Sequence, residues 1–137
     1  MALFRCGGGP AESETTLWSN PDTTVDFTDQ TVTLSDDYTN YSRIKIVTQL
    51  SKSNTDSMSV IYETSEIVTG SSWSTFNKFT PSSPANFSKS TDQNVTIREY
   101  LFKGATSVEI GAALRVHPSA GGTYNDTSIP VSIIGIK

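Results

Sequence analysis

The sequence predicts an all-β fold: an antiparallel two-sheet sandwich or jelly roll with a short extended N-terminal arm. Three observations carry this. Apolar residues recur at every second position through most of the chain, the pattern of a strand with one face on a core. No stretch sustains the i, i+3, i+4 spacing of an amphipathic helix. The polar fraction is hydroxyl rather than charge, with 19 Thr and 20 Ser among 137 residues. Thr suits the pleated surface of a strand and Ser suits turns.

The elements follow in order. Val25 and Phe27 alternate with polar neighbours, as do Val32 and Leu34. Ile44, Ile46, Thr48 and Leu50 define one face of a long strand; Arg43, Lys45, Val47 and Gln49 define the other. Met58, Val60 and Tyr62 come next. Val95 and Ile97 open a strand whose phase changes at Tyr100 and Phe102, which predicts a bulge. Val108, Ile110, Ala112, Leu114 and Val116 alternate without a break. Ile129, Val131 and Ile133 give way to Ile134 and Ile136 with a one-residue slip. Turn residues separate these runs, among them Asn20-Pro21-Asp22, Ser35-Asp36-Asp37 and the Pro118–Gly122 stretch.

Two domains of unequal weight are expected. Residues 1–12 form an attachment arm, in which Leu3 and Phe4 are the apolar anchors and Gly7, Gly8 and Gly9 the hinge. Residues 13–137 form the sandwich. A chain of this length buries a core without disulfides or a metal.

Composition excludes several functions. A net charge of −4, a pI near 4.8 and the lack of a Lys/Arg cluster disfavour a nucleic-acid partner. No apolar run approaches the ~18 residues of a membrane span. Met1 to Gly7 contains no apolar signal core, so synthesis in a cytoplasm without a signal peptide is expected. Cys6 and His117 are the single cysteine and histidine, too few for a zinc site or a His-based triad. Nothing in the sequence singles out a hydrolase pair among the carboxylates Asp26, Asp29, Asp36, Asp37, Glu63, Glu66, Glu99 and Glu109, and no calcium-loop motif occurs. The chain is therefore expected to be neither an enzyme nor a cofactor or metal protein.

Aromatic residues are the candidate contact groups. Trp73, Phe76 and Phe79 stand at three-residue spacing in a long Ser/Thr/Pro-rich segment, with Phe87 beyond them. Rings among hydroxyls and amides suit a sugar face or a protein interface, and they equally suit a plug at one end of the sandwich. Tyr38 and Tyr41 share a turn, Tyr124 sits near the last hairpin, and Trp18 reads as core. Apolar residues on the second strand faces, Val47, Ile61 and Ile134, point to an oligomer.

Two stretches carry a resemblance. One is Thr15-Thr16-Leu17-Trp18-Ser19-Asn20-Pro21-Asp22 with Gln30-Thr31-Val32-Thr33-Leu34-Ser35-Asp36-Asp37 and Asn40-Tyr41-Ser42-Arg43-Ile44-Lys45-Ile46. The other is Ile129-Pro130-Val131-Ser132-Ile133-Ile134-Gly135-Ile136-Lys137. Together they resemble a recurrent β module of tailed-bacteriophage structural proteins, of the head-fibre, tail-fibre or decoration type. The resemblance implies a small β domain on the virion surface, often homotrimeric, whose partners are its own copies, capsid or tail proteins, and in some cases bacterial surface glycan. It carries over no catalytic residue. The Gly-rich arm, with no long shaft before the module, favours a decoration protein over a tail fibre.

Overall fold

A computed structural model describes residues 12–52, 59–64, 78–79, 82–86, 94–116 and 121–137. Among the described residues ten strands occur: β1 (Glu14–Ser19), β2 (Gln30–Thr33), β3 (Arg43–Ser51), β4 (Ser59–Thr64), β5 (Lys78–Phe79), β6 (Ser82–Asn86), β7 (Asn94–Gly104), β8 (Ser107–Val116), β9 (Gly122–Thr123) and β10 (Thr127–Ile136). A 3-10 turn, Tyr38–Asn40, precedes β3. The protein is all-β, and its two antiparallel sheets pack face to face as a sandwich.

The first sheet has the order β1-β10-β3-β4. The second has the order β2-β8-β7-β5, with β6 also pairing with β7 and β9 with β8. The core between them contains Leu17, Ile44, Ile46, Ile129 and Ile133 from the first sheet and Val32, Tyr100, Phe102, Val108 and Ile110 from the second. Each fully buried aliphatic side chain of this kind contributes roughly 1.5–3 kcal/mol relative to exposure. Leu34, Tyr38 and Tyr41 close one end, where the Tyr38 and Phe102 rings lie 4.8 Å apart.

Several details differ from the alternation read in the sequence. Val25 and Phe27 belong to a loop rather than a strand, with Val25 exposed and Phe27 buried. The phase change in the β7–β8 hairpin lies on β8. Arg98 pairs with Ala113 and Tyr100 with Ile110, so Gly111 and Ala112 together face the single residue Glu99. Past that bulge Ala113 turns inward and Leu114 outward, where it is 44% exposed. On β7 the even-numbered residues Thr96, Arg98, Tyr100 and Phe102 all face the core, without the break expected there.

The slip in β10 lies near the expected position. Its register against β3 shifts between Pro130 and Ser132, so Val131 is the extra residue. Proline has no N–H to offer a central strand, and a bulge is where a ladder tolerates it. Gln49, assigned to the outer face of β3, is buried because its amide donates to Thr23 O at 2.9 Å and Ser51 O at 2.8 Å.

Candidate functional site

The loop after β1 is fastened to the β10 bulge. Asn20 N donates to Val131 O at 2.8 Å, and Asn20 Nδ2 donates to Pro130 O at 2.7 Å. Asn20 Oδ1 in turn accepts from Asp22 N at 3.0 Å, and Asp22 Oδ1 accepts from Thr24 N at 2.9 Å. The Thr24 hydroxyl first, and then the Thr24 N–H, hold the Asp22 carboxyl below the usual carboxylate range. On the far side of the loop Phe27 N donates to Asn125 O at 2.9 Å, and Lys52 Nζ binds Asp26 Oδ1 at 2.6 Å.

This fastened loop walls a groove of about 320 Å³ at the end of the sandwich. Phe27 and Val32 form its floor. Trp18 forms one side, half-buried, its ring edge-on to Phe27 at 6.0 Å and 76°. Val25 is 51% exposed, and Asn20, Asp22, Asp26 and Gln30 complete the rim. Trp18 thus packs on the core with one side and lines the groove with the other, where the sequence reading gave it to the core alone.

Beneath the groove lies a buried cation. Arg98 is fully enclosed, and its guanidinium donates to four main-chain carbonyls. Nε reaches Ser128 O at 2.9 Å, Nη2 reaches Thr127 O at 3.1 Å, and Nη1 reaches both Phe27 O at 3.0 Å and Gly111 O at 2.6 Å. The Phe27 ring lies 5.3 Å away in cation–π contact. Gly111 sits in the β8 bulge, where the ladder is interrupted and its carbonyl is free to turn inward. Ser128 is the one described non-glycine residue with positive φ, at 48°. One side chain thereby ties both sheets to the loop that floors the groove. Burial pushes its pKa down to about 10, so it remains charged at neutral pH.

At the opposite end of β1 the chain enters beside its last strand. Ser13 N donates to Lys137 O at 3.4 Å and Lys137 N to Ser13 O at 3.0 Å. Glu12 pairs with Arg43 and Glu14 with Lys45 on the outer face. The Tyr41 ring lies flat on Gly135, where an added Cβ would stand 2.5 Å from the ring, and Tyr41 OH donates to Asp36 Oδ2 at 2.9 Å. Tyr38 and Tyr41, read in the sequence as surface aromatics, are both buried core residues.

Of the other residues singled out by sequence, Leu3, Phe4, Gly7, Gly8, Gly9, Cys6, Trp73, Phe76, Phe87 and His117 lie outside the described residues. Phe79 is placed by its backbone in β5, opposite Tyr100, and its side chain also lies outside them. Among the proposed oligomer contacts, Val47 and Ile134 are half-buried on the outer face of the first sheet, and Ile61 is placed by its backbone in β4 with its side chain outside the described residues. Asp26 and Glu109 are engaged with Lys52 and Lys103, and Asp36 with Tyr41. Among the described residues no three His, Cys, Asp or Glu side chains converge as a metal site, and no helix is long and apolar enough to cross a membrane. No protein-family model matches the chain, and a search of curated proteins finds no match.

Proposed function

We propose that the chain is a non-enzymatic structural protein of a phage virion surface, a capsid decoration or head-fibre type module anchored by its N-terminal arm. The observation that carries this reading is polarity. The segment preceding Ser13 joins the sandwich at one end of β1, and the groove opens past the other end. Trp18 in the groove wall stands five residues along β1 from Ser13, about 17 Å at ~3.3 Å per residue. A module attached through its arm would then present the groove outward. The resemblance of residues 15–46 and 129–137 to phage structural modules supplies the particle. Homotrimeric assembly through the face bearing Val47 and Ile134 belongs to the same proposal.

A second reading, a tail-fibre or tail-tip module that recognises bacterial surface carbohydrate, is favoured by the groove itself. Gold-conjugated antibody against the chain, imaged on particles of the source phage, tests both. Gold spread over the capsid supports decoration. Gold confined to the tail tip supports host recognition. Unlabelled particles, with an antibody that detects the purified chain, overturn both virion readings.

A further inference from the structure

We propose that the groove beside Trp18 is a binding site for one uncharged pyranose ring, such as the end residue of a neutral glycan. The inference deepens the host-recognition reading, and it stands or falls on the isolated chain, wherever the chain sits on a particle.

The size limits the ligand first. A volume of about 320 Å³ is at the lower end of the ~300–1,000 Å³ of small-molecule sites, which suits a single ring. The lining then sets its chemistry. Trp18 and Val25 offer apolar surface for the C–H face of a sugar. Asn20 and Gln30 bring amides, and Asp22 and Asp26 bring carboxylates that accept from hydroxyls. A polyol carries both donors and acceptors around an apolar ring, and it matches this mixture.

Charge narrows the class further. Among the described residues no Lys or Arg lines the groove, and the nearby Lys52 ammonium is bound to Asp26. Asp22 is held ionised by its Thr24 hydrogen bonds. A phosphate or uronate entering here would meet like charge, so phosphorylated and acidic glycans are rejected. The site is also set before a ligand arrives. Asn20 is fixed on the β10 bulge, Asp22 is fixed on Thr24, and the Phe27 floor is clasped by Arg98. Preorganisation lowers the ordering cost of binding.

The test is an NMR titration of the isotope-labelled full chain. The probes are methyl α-glucopyranoside, methyl β-galactopyranoside, methyl α-mannopyranoside, rhamnose and N-acetylglucosamine, with glucuronic acid and glucose 6-phosphate as anionic counterparts. At least one neutral probe is expected to shift the Trp18 indole N–H and the Asn20 and Gln30 side-chain amides saturably, with Kd on the order of 1–10 mM. The anionic counterparts are expected to bind at least tenfold more weakly. Val25→Asp and Gln30→Ala change exposed side chains, so both variants keep the parent amide spectrum and weaken binding at least fivefold. The proposal is overturned if no neutral probe shifts these resonances, if the anionic probes bind equally well, or if shifts centre on Trp73 and leave Trp18 unmoved. Failure of the titration leaves the immunogold result intact, and unlabelled particles leave the titration intact.

Discussion

The two ends of β1 are held by opposite means. Past Trp18, the sheets and the groove floor meet on Arg98, a charged side chain donating to four carbonyls. Past Glu14, the turn before β3 meets β10 where the Tyr41 ring lies on Gly135, a contact of shape with a hydrogen bond to Asp36 at its tip. The first depends on donor geometry, because irregular backbone leaves carbonyls that the sheet ladders do not use. The second depends on missing volume, because the flat ring fits only over a residue without Cβ. A module of this design tolerates irregular loops at the groove end and demands close packing where the chain enters.

The contrast is sharpest at Arg98. Replacing it with Met keeps much of the volume but leaves four inward-facing carbonyls without their donor. A loss of about 3–5 kcal/mol is expected, read as the shift in urea midpoint. Arg98→Lys restores the charge without the planar fork, and it should recover only part of that loss. Full stability of the Met variant would mean that the carbonyls find water and that the clasp is incidental. At the other end Gly135→Ala places a methyl within 2.5 Å of the Tyr41 ring. Overpacking of that kind costs about 1–3 kcal/mol. Pairing it with Tyr41→Ala should remove most of the clash, and a double-mutant cycle measures the coupling.

A pH titration separates the ends in another way. The Tyr41 hydroxyl is the largest influence holding the Asp36 carboxyl below its ordinary value, followed by the Asp37 backbone N–H. A carboxyl depressed in the folded state contributes stability that is present above its unfolded pKa, near 3.8–3.9. That contribution is lost as pH falls through the lower folded value. Asp36→Asn should therefore flatten the acid limb of the stability curve while leaving the neutral range less stable than the parent. An unchanged acid limb would place the relevant titration elsewhere, with Asp22 the first alternative.

How far the sequence disclosed these regions depends on what each uses. The strands were legible because period-two burial writes itself into composition: Ile44, Ile46, Val108 and Ile110 sit where alternation put them. Arg98 was not legible, since an arginine in a strand reads as a solvent-facing residue. The signal lay in its phase, which it shares with the buried Tyr100 and Phe102. The groove was hidden for a different reason. Its rim is a loop with no period, closed by contacts to Pro130 and Asn125 more than 90 residues away. Asn20-Pro21-Asp22 announced a turn but nothing about the bulge it grips. The arm and the Trp73–Phe87 aromatics rest on sequence reasoning alone, because nearly all of them fall outside the described residues.

The smallest expected effect tests the bulge that makes the Arg98 clasp available. Unbroken alternation along β8 would put Leu114 in the core, and truncating a core leucine costs about 2–5 kcal/mol. The bulge at Gly111 and Ala112 moves the inward phase to Ala113 and turns Leu114 out to solvent. Leu114→Ser should then change stability by no more than about 0.5 kcal/mol, as at other exposed positions. Ile110→Ala, one residue before the bulge and fully buried, should show the full core cost in the same urea series. Similar losses in both variants would mean that β8 runs straight through Gly111. The Gly111 carbonyl would then stay in its ladder, and Arg98 would have three main-chain acceptors rather than four.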